Sequence, residues 1–371
     1  MKIYDVIIIG GGLAGLTSAI DLSLYGFEVL LIEKDEYPKH KVCGEYVSNE
    51  VLPYLKRLGV DISQTNSDQI TQLVLSSRSG NSVKVELPLG GFGMSRYALD
   101  ELLYNKAKSN GVEFKFETVV DATFENQQFT VKTTKNEFYS ELAIGSFGKR
   151  STLDKKLNRD FIYNKTPWIG IKAHYKNDDF PDGEVQLHNF EGGYCGLSKT
   201  ETGAVNFCYL AHYDSFKQER SVEDFNRNII TQNPKLNSFL SHAELLFEKH
   251  LAISQVSFQN KDAVENHMLM AGDSAGLIHP LCGNGMAMAI HSAKLLSEEI
   301  KNYRYHKDRS QLEANYSKIW KQTFRKRLIF GSLFQNILLQ PKLTNIGMLA
   351  VSKSPYLLKK MIQQTHGKPI L

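Results

Sequence analysis

The 371-residue chain is short of the features that would commit it early to a class. Its four cysteines, Cys43, Cys195, Cys208 and Cys282, have no metal-ligand or disulfide-framework spacing. No metal centre and no disulfide scaffold are expected, and reduced thiols in a cytoplasmic setting are. No apolar run approaches the roughly 20 residues a membrane-spanning helix needs. The longest, Leu328 to Leu339, contains Ser332, Gln335 and Asn336. No cleavable leader is expected, because a strand pattern begins almost at Met1. Internal repeats and low-complexity tracts are absent. Acidic residues stop at Glu313, whereas Ala314 to Leu371 holds ten Lys or Arg: Lys318, Lys321, Arg325, Lys326, Arg327, Lys342, Lys353, Lys359, Lys360 and Lys368. The formal net charge of +4 therefore hides a mildly acidic body and a strongly cationic tail. Neither a helix-turn-helix nor an aromatic stacking platform accompanies these cations, so nucleic acid is not the expected partner. An anionic membrane surface is, with the protein peripheral on the inner face of the membrane.

What the sequence does have is concentrated in two stretches. Tyr4 to Lys34 reads as a buried strand, a glycine turn, a helix and a second buried strand ending at Glu33. Gly10, Gly12 and Gly15 stand in G-x-G-x-x-G register between the first strand and the helix. That spacing serves a tight turn, a close backbone approach to a pyrophosphate and close helix–strand packing. Leu13 and Ala14 open the helix, whose free N–H groups suit phosphate, and Glu33 and Lys34 close the unit where a ribose would lie. The second stretch is Met268 to Met286, MLMAGDSAGLIHPLCGNGM. A strand runs into Gly272-Asp273, and Pro280, Gly283, Asn284, Gly285 and Met286 lead into another helix.

Here the chain resembles the glutathione-reductase-type FAD proteins, in the branch holding p-hydroxybenzoate hydroxylase, geranylgeranyl reductases and flavin halogenases. The G-D-x-A-G-x-x-x-P-x-x-G-x-G pattern of that branch is complete between Gly272 and Gly285. The resemblance implies an α/β fold: a Rossmann-like FAD-binding domain, discontinuous in sequence, interleaved with a mostly β substrate domain and followed by a helical C-terminal region. The expected boundaries are 1–69, 95–163 and 251–303 for the FAD domain, 70–94 and 164–250 for the substrate domain, and 304–371 for the helical region. Asp273 is expected at the ribityl chain and Arg96 at the phosphates. The Lys41–Glu45 loop resembles the one that passes beside the flavin in geranylgeranyl reductases, bringing Lys41 and Cys43 there. Cys43 and His279 are the candidate reactive groups. Tyr194, Cys195 and Gly196 stand where those reductases carry G-Y-x-W-x-x-P over the flavin, and they are expected to line the substrate cavity. Three departures stand out. Phe147 replaces an aspartate of the strand motif, Gly196 replaces the tryptophan, and Ser198 replaces the proline. Of the halogenase W-x-W-x-I-P motif, Trp168 alone is present.

The expected activity is that of an FAD-dependent reductase acting on a carbon–carbon double bond of a polyprenyl or acyl-chain substrate, with NAD(P)H as a transient reductant. The alternative is a flavin monooxygenase that hydroxylates an aromatic or quinone-like substrate through a C4a-hydroperoxide. The pair shares a fold, so fold does not separate them.

Overall fold

The computed structural model describes residues 2–279, 283–338, 340, 359–360, 362–364 and 366–371. Pro280, Cys282 and most of the helix expected over Leu343–Gln364 lie outside these.

The first sheet grows from β1 (Ile3–Ile9). Val6, Ile7 and Ile8 have no exposure, and burying each such side chain favours the fold by roughly 1.5–3 kcal/mol. Helix α1 (Leu13–Leu24) returns the chain to β2 (Val29–Glu33), which pairs parallel to β1 with Ile7 opposite Leu30. A long excursion follows: β3 (Tyr46–Ser48), α2 (Leu52–Arg57), β4 (Asp68–Ser76), β5 (Ser82–Gly93) and α3 (Arg96–Ser109). The sheet then resumes with β6 (Glu113–Phe116) beside β2, the hairpin β7 (Val119–Glu125) and β8 (Gln128–Thr133), and β9 (Glu137–Gly145) on the other side of β1. The β7–β8 turn places Asn126 and Gln127 at φ 50° and 63°, the geometry that matches the twist of a two-residue hairpin.

After α4 (Thr152–Lys156) the chain builds the second sheet from β10 (Trp168–Lys176), β11 (Glu184–Phe190), β12 (Gly193–Lys199) and β13 (Val205–His212). Short helices α5 (Tyr213–Phe216), α6 (Val222–Asn228) and α7 (Pro234–Ser241) precede β14 (Glu244–Leu245) and β15 (Leu251–Ser254). The order is β14-β10-β13-β12-β11-β4-β5-β3, with β15 also on β10. Two boundaries move relative to expectation: β3 and β15 both pair within this sheet rather than the first. Phe207, Tyr209, Phe225 and Phe239 form its separate core under α6 and α7.

The chain re-enters the first sheet through β16 (Val264–Glu265) and β17 (Met268–Met270), the latter parallel to β9. Helix α8 (Gly285–His306) packs on α1, and α9 (Arg309–Leu338) packs on α8. Leu312, Tyr316, Trp320 and Phe324 recur every fourth residue on the buried side of α9, and Tyr316 Oη donates to Met270 O at 2.5 Å. From Leu328 onward the apolar residues do not stay inside. Ile329, Phe330 and Leu333 are exposed, Leu328 is half-buried, and Arg327 is drawn inward. Phe334, Ile337 and Leu338 lie beyond the described side chains. Among the described residues no helix is long and apolar enough to cross a membrane.

Candidate functional site

The turn between β1 and α1 is made of backbone. Gly10 has φ 104°, and a Cβ there would lie 2.5 Å from Ser146 O. A Cβ on Gly15 would lie 2.1 Å from Gly10 O, so helix and turn touch with no room for a side chain. Gly12 caps α1 without a side-chain hydrogen bond, and the first turn of the helix carries no acidic residue. Its N–H groups and partial positive charge are thus free for an anion. Glu33 ends β2 half-buried, with Oε2 accepting from Gly11 N at 2.6 Å and Oε1 from Lys34 N at 3.0 Å. Lys34 itself is exposed.

The second motif closes on the first. A Cβ on Gly272 would meet Ala14 Cβ at 3.0 Å and Ala289 Cβ at 3.5 Å. Asp273 follows in a 3-10 turn whose backbone oxygen accepts from Lys261 Nζ at 2.8 Å. Burial pushes the Lys261 ammonium down to about 8. Leu13 and Ala14 are buried in α1, Met286 is buried in α8, and Asn284 caps α8 with no side-chain cap bond. Gly283 has φ 62° and faces the Tyr46 ring. Pro280 lies outside the described residues.

Arg96 opens α3 beside this junction. A Cβ on Gly12 would lie 3.6 Å from Arg96 Nη2. Asp100 holds the guanidinium with two bonds of 2.8 Å and takes Lys41 Nζ at 2.9 Å. Burial opposes the Asp100 charge, yet Arg96 and Lys41 outweigh it and hold the carboxyl below its ordinary value. Cys43 is half-buried beside the still-exposed Gly44, whose missing side chain would meet nothing within 4 Å. The Cys43 carbonyl accepts from Asn206 Nδ2 at 3.1 Å and that of Gly44 from Ser198 Oγ at 3.4 Å, which ties the loop to the second sheet.

Two expected roles are corrected by where the side chains go. Neighbours on a strand face opposite ways, so Tyr194 and Gly196 share the face toward the first domain while Cys195 points into the core under α6 and α7. Cys195 therefore lines no cavity on the flavin side. His279 stacks on Phe258 with ring centroids 3.7 Å apart, and burial pushes its imidazole down to about 4. A neutral, packed ring does not serve as an acid near neutral pH. The Phe147 departure has a structural answer. Ser146 Oγ donates to Gly10 O at 2.7 Å, and Gly148 N donates to Ser274 Oγ at 2.9 Å, so serines hold the turn without a carboxylate.

Several residues were not legible beforehand. Tyr37 Oη donates to Gly11 O at 2.7 Å. Glu45, Lys172 and His174 form a buried ionic group between the domains. Lys172 and His174 stand two apart in the apolar strand Trp168–Lys176, and that placement is the one signal the sequence offered.

The glycine turn, the uncapped helix end, Arg96 and Asp273 lie near one another and fit a dinucleotide with a flavin. The FAD binding domain family matches residues 3–323. The chain belongs to this family. Conditioned medium factor receptor 1 of Dictyostelium discoideum is 25% identical over 355 residues, covering 87% of this chain and 68% of the relative. Digeranylgeranylglycerophospholipid reductase of Haloferax volcanii is 23% identical over 346 residues, covering 85% and 81%. The flavin-dependent brominase Bmp2 superposes with a TM-score of 0.80 at 19% identity, covering 98% of this chain and 93% of that one. Other relatives are named as a halogenase and as a putative FAD-dependent monooxygenase. The chain is thus an FAD-dependent oxidoreductase of the branch holding these reductases, halogenases and monooxygenases.

Proposed function

We propose that this oxidoreductase reduces a carbon–carbon double bond of a hydrophobic polyprenyl or acyl-chain substrate. The observation that carries the reading is the face the second sheet turns toward the first domain. Trp168, Tyr194 and Leu210 pack there with Val256 and Leu277. Gly196 and Gly44 leave the area between without side chains: nothing lies nearer than 3.7 Å to a Cβ on Gly196. The apolar character of this face supports a hydrophobic substrate over a polar one. FAD, when bound, supplies the two-electron chemistry, held by the Gly10–Gly15 turn, Glu33, Arg96, Asp273 and the N-terminus of α8. In this reading the protein orients the substrate, and Cys43, half-buried in the loop tied to the second sheet, modulates the reaction. No second G-x-G-x-x-G unit is present, so NAD(P)H as reductant would bind transiently.

A water-insoluble substrate is best taken from a bilayer, and the exposed residues late in α9 support docking on a membrane surface. Ile329 and Leu333 are 56% and 55% exposed beside exposed Arg325 and Lys326. Such a mixed face binds anionic lipid through burial and charge together. Within the protein, Glu50 pairs with Arg327 and Asp262 with Lys321.

The deciding experiment reduces the flavoprotein anaerobically with NADH or NADPH, with and without a polyprenyl lipid or a quinone, then admits air. Mass spectrometry showing a gain of two hydrogens in the lipid supports the reading. A gain of oxygen on the quinone transfers the protein to the monooxygenase reading. Flotation with anionic liposomes tests the membrane face, which fails if binding is absent at low salt.

A further inference from the structure

Glu45 has no exposure, yet its φ is 55°. Left-handed backbone costs a non-glycine residue about 1 kcal/mol or more. Among the described non-glycine residues with positive φ, Glu45 is the one that is buried. Its partners explain how it stays there. Oε1 accepts from Lys172 Nζ and from Arg96 N at 2.7 Å, Oε2 pairs with His174 Nε2 at 2.6 Å, and the carbonyl accepts from Met94 N at 3.1 Å. Burial raises the Glu45 carboxyl, but the His174 bond and the Lys172 charge outweigh it and keep the group below its ordinary value.

The group spans the domains. Lys172 and His174 belong to β10, Glu45 ends the Lys41–Glu45 loop, and Arg96 starts α3. A second carboxylate works in parallel one residue earlier: Glu201, from the β12–β13 turn, accepts from Ser95 N and Ser95 Oγ, each at 2.6 Å. The N-terminus of α3 is therefore held by the second sheet, and it carries the guanidinium that stands over Gly12.

His40, Glu45 and His174 also bring ligand atoms within 4.8 Å of one another, and two histidines with a carboxylate suit a transition metal. Lys172 argues against an ion there. Its ammonium already sits on Glu45, and neither side chain is exposed at all. A dication would be buried against that ammonium, at a desolvation cost that nothing here offsets. His40 is held neutral, lowered to about 4 by burial and by Lys172 and His174.

We propose that Glu45, clamped by Lys172 and His174, is a positioning residue that couples the placement of the substrate sheet to Arg96, and hence to FAD affinity. The proposal rests on the Gly10–Gly15 turn being the FAD pyrophosphate site. Lys172 and His174 act through Glu45 and need no contact with the cofactor.

The test titrates FAD into the deflavinated full-length protein, following flavin fluorescence, with melting temperatures recorded for each apoprotein. Glu45→Gln and Lys172→Met should each weaken FAD binding about tenfold. The double variant leaves no unpaired charge, so it should recover melting temperature but not affinity. Phe225→Leu, in the remote core under α6, should lower the melting temperature with FAD affinity unchanged, which separates positioning from general loosening. Wild-type affinity in the double variant, with Arg96→Ala still weakened, overturns the coupling alone. Unchanged affinity in Arg96→Ala overturns the siting, and the proposal with it. Zn²⁺ or Fe²⁺ retained stoichiometrically by the wild type and lost in Glu45→Gln also overturns it in favour of a metal site.

Discussion

The two sheets make their shares of the site from different material. On the first, the β1–α1 turn is backbone: glycines in contact, an uncapped helix end, and carbonyls from Ile9 and Gly10 held by Ser146. On the second, the working groups are side chains brought together across more than a hundred residues, as in Lys172 with Glu45. A backbone site tolerates no added atom. A side-chain site depends on charge balance, so its parts can be exchanged as long as no buried charge is stranded.

That contrast sets what substitution should do. Gly15→Val puts a Cβ 2.1 Å from Gly10 O before the backbone yields. FAD binding should be abolished and the apoprotein destabilised by several kcal/mol, in line with overpacking that must move backbone; a variant that still retains FAD on gel filtration breaks the comparison. Glu50→Ala strands Arg327, which is 10% exposed at the side chain and 3.0 Å from Glu50. It also removes the side-chain acceptor of Gly367 N, while the backbone carbonyl at position 50 keeps its bond from Ile370 N at 2.7 Å. About 3–5 kcal/mol of stability should be lost in urea unfolding, and adding Arg327→Met should recover part of it. Asp273→Ala should weaken FAD retention by about 1–3 kcal/mol, read as flavin loss on dialysis, with the apoprotein melting unchanged.

Acid provides a gentler probe. Burial lowers the imidazoles of His188, His279 and His291 to about 4 from an unfolded value near 6.5. The unfolded chain binds protons first, so their contribution is complete above pH 6.5 and is lost as pH falls toward 4. Each group contributes at most about 1.4 kcal/mol per pH unit in that window. His188→Gln should flatten the melting-temperature profile there, and an unchanged slope would argue that other groups govern acid unfolding. The smallest expected effect is on stability in Ile329→Ser/Leu333→Ser, within about 0.5 kcal/mol; its liposome binding, by contrast, should drop.

Legibility followed the same division. Glycine spacing, apolar runs and the helix that ends each run announced β1, α1, β2 and α8, because sterics write backbone geometry directly into residue choice. In the second sheet β3 and β15 joined unannounced, since short strands leave little alternation to see. Glu45 was visible only as part of a loop. No local pattern says that a carboxylate will meet a lysine 127 positions away. Cys195 was misassigned because a motif gives position along a strand but not which face a residue takes in a particular sheet. His279 was misjudged because nothing local revealed Phe258 stacked upon it.

Tyr37 gives Gly11 a meaning the fingerprint does not contain. A Cβ on Gly11 would fall 1.8 Å from Tyr37 Oη, and Tyr37 is braced from behind by Tyr104, with ring centroids 4.6 Å apart. The glycine between the two fingerprint glycines answers to a phenol rather than to a nucleotide. In descent, positions 11 and 37 are therefore expected to change together. Lineages that admit alanine at 11 should have given up the tyrosine at 37, and an aligned family in which the two vary independently would show that the ring moves aside more readily than its stacking suggests.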